Sequence, residues 1–578
     1  MASIFADPDT FVDDALAGFV LAHPDQVRRV DGGVVRARPL RPGQVAVVIG
    51  GGSGHYPAFA GFVGHGLASG AVCGNVFTSP SAGQAVRVAQ AVENGGGVLF
   101  TFGRYAGDVL HFGEAQRRLR DSGIDARTVL ITDDVASAPE DRADERRGIA
   151  GIVFVFRVAG AAAERGDSLD EVERLAALAN SRGRSHGVAF AGCVLPGASG
   201  PLFTVPEGMM SVGLGIHGEP GVRDVPLQQP AELAATLLAP LLSERPDGAQ
   251  RAALIVNGLG AVKYEELFIL FGHVARQLEQ HGIELVAPEC GELVTSLDMA
   301  GVSVSLLWLD DELEELWTQP TAAPAFTRGS VDIAAADAAQ PTHPASRVAT
   351  ESATEQPVIP TPASVAAVPV ARSLIRAAHE IVSDNAQQLG DLDAIAGDGD
   401  HGIGMVRGLA AALDFADHVD DGGGITQLAR GAGDAWSEAA GGTSGALWGA
   451  GIAAFGDELA DRDSYDLAAV AQAITAARLR IVELGGAALG DKTMLDAILP
   501  FETAFHEEVE RGSDAVTALR LAADASTRAA EDTAELSPKL GRARPLAARS
   551  VGHADPGAVS FSLIVQSVGA TLDYEGEE

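Results

Sequence analysis

Three carboxylates, Asp393, Asp398 and Asp400, fall within eight residues and are separated by Gly397 and Gly399. Spacings of five and then two cannot place all three acids on one face of a straight helix. They suit a helix end that turns into a tight loop, where glycines let the backbone gather the acids around one point. Converging carboxylates repel unless a cation lies between them, and an oxygen-only set suits a hard cation such as Mg2+ or Ca2+. In a chain with 78 acidic residues the same acids also suit a plain solvated loop.

Other glycine-bounded groups bear on that choice. A buried run over 44–50 empties into Gly51, Gly52, Ser53, Gly54 and His55, which sets backbone N–H groups at the carboxyl edge of a sheet, where open α/β sheets bind ligands. A dinucleotide fingerprint would need an acid about 20 residues on, and a Walker loop would need a lysine. Neither is present, so this loop reads as the floor of a small-ligand pocket. Towards the C-terminus lie the glycine loops 441–445, 485–486, 490–494 and 552–557, several of them at helix starts, where free N–H groups and the helix dipole favour phosphate. Asp491, Lys492 and Thr493 add a lysine and a hydroxyl, and the whole reads as a metal–phosphate site. Glycines acting as simple helix stops would explain each loop singly but not their number. The bent loop 215–221 can expose one imidazole, His217, with Glu219 close enough to set its tautomer, although a lone loop histidine is ordinarily only surface.

Elements must carry these groups. Buried strands are expected over 44–50, 97–102, 127–133, 186–193, 252–257, 283–288 and 302–309, with helices between them that include 148–165 and 264–280. Ser168, with Glu171 three residues on, opens another helix as a capping box. This alternation predicts an α/β region over 1–317 with a parallel or mixed sheet, divided into two α/β subdomains near 185–200. Between 318 and 368 Ala, Pro and Thr dominate and periodicity vanishes, which reads as a linker. From 369 to 578 apolar residues recur at three-to-four spacing, which predicts an all-α helical bundle or barrel.

Bulk properties narrow the function. At 578 residues the chain exceeds a single core. A net charge of −37 argues against nucleic acid and anionic membranes as partners, but not against a phosphate ligand held with its own metal. Cys73, Cys193 and Cys290 are odd in number and far apart, which implies buried thiols rather than disulfides or zinc. With no signal pattern and no apolar run near the ~20 residues of a membrane span, a cytoplasmic location is expected.

Read together, the segments 50–55, 74–81, 107–108, 131–136, 161–170 and 213–221, then 397–402, 442–445, 490–496, 541–542 and 552–558, resemble the single-chain, ATP-dependent dihydroxyacetone kinase family over nearly the whole chain outside the linker. The resemblance implies a ketose held covalently by His217 as a hemiaminal, with Asp108 accepting the proton of the hydroxyl to be phosphorylated and His55 hydrogen-bonding it. Gly51, Gly52, Ser53, Gly54 and Ser79 would line the pocket. Asp393, Asp398 and Asp400 would bind Mg2+. His401, Gly402, Ile403, Gly404, Thr443, Ser444, Gly485, Met494, Arg542, Asp555, Pro556 and Gly557 would contact ATP, with Arg542 stabilising charge in the transition state. The expected assembly is a homodimer.

The chain departs from the family at substrate-facing positions. Tyr56 and Phe59 stand where a glutamate and a second histidine are usual, Arg104 and Ala106 differ around Tyr105, and 544–548 differ near the nucleotide. An intact catalytic set with changed walls points to a different ketose, such as the C4 sugars D- or L-erythrulose. The alternative is a non-catalytic ketose-binding regulator or phosphocarrier partner, against which the full set of metal acids on the same chain argues.

Overall fold

The structure, a computed structural model, describes residues 10–331 and 360–575 apart from Ser199, Pro220, Asp398, Asp421 and 542–546, together with Ile4, Asp7 and Pro8. It divides into two compact units, 1–353 and 354–578.

The first unit holds two sheets. One comprises β1 (Val27–Val30), β2 (Gly33–Arg36), β3 (Ala46–Ser53), β4 (Gly70–Val76), β5 (Val98–Gly103) and β6 (Ala126–Ile131) in the order β1-β2-β4-β3-β5-β6. The pairs β3–β4, β3–β5 and β5–β6 are parallel, so these four strands end at one edge. The other is built on β7 (Gly183–Ala191), β8 (Met209–Val212), β9 (Arg223–Pro226), β10 (Arg251–Gly258), β11 (Glu284–Leu285), β12 (Glu289–Gly291) and β13 (Ala300–Trp308). Its backbone order is β11-β10-β13-β7-β8-β9, and it is mostly antiparallel.

Strand alternation divides the apolar side chains among three cores. Val47 and Ile49 face one core and Ala46 and Val48 another, the period of two that a sheet buried on both faces requires. In the same way Ala253 and Ile255 face the first core while Ala252, Leu254 and Val256 face a third. The shared core lies between the sheets around helix Ile152–Arg165, which is buried at every position from Ile152 to Ala163. The chain passes to the second sheet at Gly183, and the two sheets, each with a core of its own, share the core between them.

Two expectations are corrected. β3 runs through Gly50, Gly51 and Gly52 to Ser53, so these glycines are strand, not loop. A Cβ at Gly50 would lie 2.7 Å from the Val72 carbonyl oxygen, and one at Gly52 2.7 Å from the Thr78 nitrogen. Close approach of neighbouring backbone, rather than a turn, requires glycine there. The structured chain also extends into both ends of the Ala/Pro/Thr-rich stretch. Thr321–Ala323 pairs with Phe326–Arg328 in a hairpin whose Ala323 and Phe326 join the shared core. Downstream a helix begins at Pro362, because Pro362 suits the first helical position and the Thr361 hydroxyl accepts the Ser364 N–H at 3.1 Å. Of the stretch between, 332–359 lie outside the described residues.

In the second unit helices span Pro362–Asp384, Ala386–Asp393, His401–Asp417, Ile425–Ala440, Gly442–Leu459, Leu467–Gly485, Leu495–Arg511, Ala515–Asp532 and Pro556–Glu575. Long helices neighbouring in sequence pack on one another, and Pro556–Glu575 packs against both Ala515–Asp532 and Pro362–Asp384, which closes a ring. Among the described residues no helix is long and apolar enough to cross a membrane.

Candidate active site

The carboxyl edge of the first sheet supplies four of the site's segments. His55 follows β3, Phe77 and Ser79 follow β4, Tyr105 and Asp108 follow β5, and Asp134 follows β6. The turn joining β8 to β9 brings His217 from the second sheet. Residues 293–297 tie the two sources together: the Leu297 N–H donates to the Gly54 carbonyl at 2.8 Å, and Ser296 Oγ donates to the Ile216 carbonyl. Buried Asn257 holds that segment, accepting the Leu293 and Val294 N–H groups at 2.9 Å each.

Two imidazoles meet in this frame. His55 Nε2 and His217 Nε2 are 2.9 Å apart. Nδ1 of His55 faces the Thr295 carbonyl at 2.7 Å, and Nδ1 of His217 faces Glu219 Oε1 at 3.1 Å. Each Nδ1 faces an acceptor and so carries its hydrogen; the two Nε2 atoms then require one proton between them. Burial, then the neighbouring His217, lowers His55 to about 3. Burial alone would raise the Glu219 carboxyl, but the charge and hydrogen bond of His217, with Arg147, hold it well below the usual range. Arg147 lies 3.6 Å from Glu219 and 2.7 Å from Asp134. Tyr105 and Phe77 stand edge-on to the His217 ring at 4.6 and 5.2 Å between centroids.

Asp108 lies in the first turn of helix Ala106–Asp121 and is buried. Burial raises its carboxyl to about 7 against a hydrogen bond from Ser79, and its Oδ1 has no protein partner. A buried carboxyl near neutrality with a free oxygen has the character of a general base. Ser53 Oγ instead donates to the Gly74 carbonyl at 2.6 Å, which ties it back into the sheet.

In the helical unit Asp393 ends helix Ala386–Asp393, and its Oδ2 accepts the N–H groups of Gly399 at 2.9 Å and Asp400 at 3.1 Å. This fixes the loop and faces Asp400 towards Asp393. Burial, then Asp393, raises the Asp400 carboxyl to about 6, the mark of two acids that a cation would relieve. Asp398, the third expected ligand, lies outside the described residues, as does Arg542. Among the described residues no group of three or more His, Cys, Asp and Glu side chains is placed to hold a metal.

His401 Nε2 lies 3.0 Å from Ser560 Oγ, so the first turns of helices His401–Asp417 and Pro556–Glu575 adjoin. Asp555 Oδ1 accepts the Ala558 N–H at 2.8 Å, and burial raises the carboxyl to about 7. Met494 abuts Gly557, where a Cβ would lie 3.4 Å from the Met494 Cβ. Thr443 and Ser444 are exposed in the first turn of Gly442–Leu459, Gly485 ends Leu467–Gly485, and Ile403 and Gly404 lie in the first turn of His401–Asp417. Gly402 has no room for a side chain, since a Cβ there would lie 2.0 Å from the Ala386 carbonyl oxygen.

Three readings change. Lys492 does not present its ammonium as a phosphate ligand; it is buried against backbone carbonyls. Tyr56 and Phe59 are absorbed elsewhere: Tyr56 stands edge-on to Phe19 at 5.9 Å, and a Cβ at Gly51 would lie 2.7 Å from the Phe59 ring. The rings around His217 are His55, Phe77 and Tyr105 instead. Arg147, Asp134 and Thr295 belong to the site without having been singled out; the adjacent acids Asp133 and Asp134 at a strand end were the one available signal.

The chain thus joins an α/β unit with paired imidazoles to a ring of helices with an acidic loop. Residues 17–325 match the Dak1 domain and 395–570 the DAK2 domain. The chain is 50% identical over 583 residues to L-erythrulose kinase of Pectobacterium atrosepticum, covering 100% of this chain and 97% of the relative. It is 49% identical over 584 residues to D-erythrulose kinase of Mycolicibacterium smegmatis, covering 100% of each. The crystal structure of the dihydroxyacetone kinase from C. freundii in complex with AMP-PNP and Mg2+ covers 99% of both chains at 28% identity, with a TM-score of 0.53. The chain therefore belongs to the family of kinases that join a Dak1 domain to a DAK2 domain.

Proposed function

We propose that this chain phosphorylates a terminal hydroxyl of a short ketose at the expense of ATP, and that its preferred substrate is erythrulose rather than dihydroxyacetone. The observation that carries the chemistry is the 2.9 Å contact between the Nε2 atoms of His55 and His217. In capture, His217 Nε2 forms a bond to the ketone carbon while the carbonyl π pair moves to oxygen. That oxygen takes the proton shared by the two rings, leaving a hemiaminal whose ring charge Glu219 balances. Asp108 then accepts the proton of the terminal hydroxyl as its oxygen bonds to the γ-phosphorus and the bond from that phosphorus to the bridging oxygen breaks, ADP leaving with the electron pair. The erythrulose preference rests on the relatives near 50% identity.

Asp393, Asp398 and Asp400 would hold Mg2+, which when bound offsets the charge of the phosphate oxygens. His401 to Gly404, Thr443, Ser444, Gly485, Met494, Arg542 and Asp555 to Gly557 would hold the nucleotide. We place the enzyme in the cytoplasm as a homodimer, for which exposed Phe268 and Ile269 on helix Tyr264–Gln280 offer apolar surface to a second copy. Light scattering after size exclusion tests the assembly. For the activity, ADP release is measured across dihydroxyacetone, D- and L-erythrulose and glyceraldehyde. Turnover should be highest with one erythrulose, and a flat response to all four would overturn the reading.

A further inference from the structure

Lys492 is 4% exposed, and its Nζ donates to three backbone carbonyls: Ser550 at 2.7 Å, His553 at 2.8 Å and Leu536 at 3.1 Å. An ammonium has three hydrogens, so its donor capacity is fully used within the protein. The backbone at Lys492 has φ +61, a conformation ordinarily left to glycine and retained by other residues where the surroundings dictate it. Its neighbours build the same junction. Asp496 accepts the Gly490 and Thr493 N–H groups at 2.5 and 2.8 Å, and Asp491 pairs with Lys539 at 3.1 Å. Residues 490–496 thus form a hub into which the chain around 536 and the turn 550–553 are fastened. Two residues beyond His553 stands Asp555, whose N–H donates to Thr533 Oγ1 at 2.8 Å. Gly557 follows, in the first turn of helix Pro556–Glu575.

We propose that Lys492 is a positioning residue of the nucleotide site: its ammonium clasps the turn leading into helix Pro556–Glu575, fixing Asp555 and Gly557, and makes no contact with phosphate. The proposal rests on the reading of Asp555 to Gly557 as nucleotide contacts. Binding of Mg·ADP to the full-length chain is the test, because it needs no turnover. Wild-type chain that fails to bind Mg·ADP defeats that underlying reading.

Given wild-type binding, Lys492→Met should weaken Mg·ADP by about tenfold or more, the equivalent of one charge-assisted hydrogen bond, while the KM for ketose stays within about twofold. Unchanged Mg·ADP affinity in that variant overturns the proposal. Amine labelling of the wild-type chain tests it independently, even if the variant fails to fold, since the sequence has only Lys263, Lys492 and Lys539. Exposed Lys263 and Lys539 should label, and Lys492 should stay unlabelled with and without Mg·ADP. Labelling of Lys492 in the free chain that Mg·ADP blocks marks a phosphate ligand and overturns the clasp.

Discussion

Asp108 joins two opposed requirements. Its burial makes it a base of useful strength and at the same time makes its charge costly to the fold. With the folded carboxyl raised to about 7 from an ordinary 3.8, the native state binds more protons than the unfolded state between those values. Stability from this group is therefore present at low pH and is lost as pH rises through about 7, whereas activity, with Asp108 in the proposed role of base, should rise over the same window. Asp108→Asn should abolish turnover yet exceed wild type in stability at pH 8 by on the order of a few kcal/mol, read by denaturant melts at pH 5 and 8. Equal stability differences at both pH values would show that the carboxyl is not held protonated. Glu219→Gln removes the charge opposite the His217 ring while keeping the side chain's shape. It should lower kcat/KM for ketose about 10²-fold and leave Mg·ADP affinity unchanged, in steady-state and binding titrations.

Helices Ile425–Ala440 and Gly442–Leu459 touch backbone to backbone. A Cβ at Gly433 would lie 2.6 Å from the Gly449 carbonyl oxygen, and one at Gly449 2.5 Å from that of Gly433. Gly449→Val should therefore cost roughly 1–3 kcal/mol of stability in the helical unit, whereas the same change at Gly486, which meets nothing within 4 Å, tests only the strain of its φ of +65. Equal losses at the two sites would argue against the close approach.

Legibility followed locality at this scale. Helix Ile425–Ala440 was readable to its end residues, because an apolar stripe is a short-range pattern. β1, β2, β8 and β9 were not, being strands of four residues whose alternation is too brief to stand out. Arg157 shows the limit most clearly. It interrupts an apolar helix and donates to the carbonyls of Gly66 and Gln319, 91 and 162 residues away. The proposed catalytic residues His217, Asp108 and His55 drew notice because each lies beside a glycine within a recognisable segment, whereas Thr295 lies in a stretch with no adjacent glycine.

For the whole molecule, two units that each bind a ligand should respond to ligands separately. Calorimetry should show saturating Mg·ADP raising the transition of the helical unit alone, by about 2.7 kcal/mol at 100 times Kd, and EDTA abolishing the shift. A ketose should raise only the transition of the α/β unit. A joint shift with either ligand would mean that the units unfold as one. Within the α/β unit there is no such separability, since the core around helix Ile152–Arg165 also takes in Ala189, Ala253, Ile255 and Leu307 of the second sheet. The core under that helix bears on where the gene could be divided. Two messages that meet within 332–359 would each encode a protein with its own interior, and the products should fold when made apart. A division within 192–208 would strip β7 and the central helix from the strands that cover them, and neither product should accumulate.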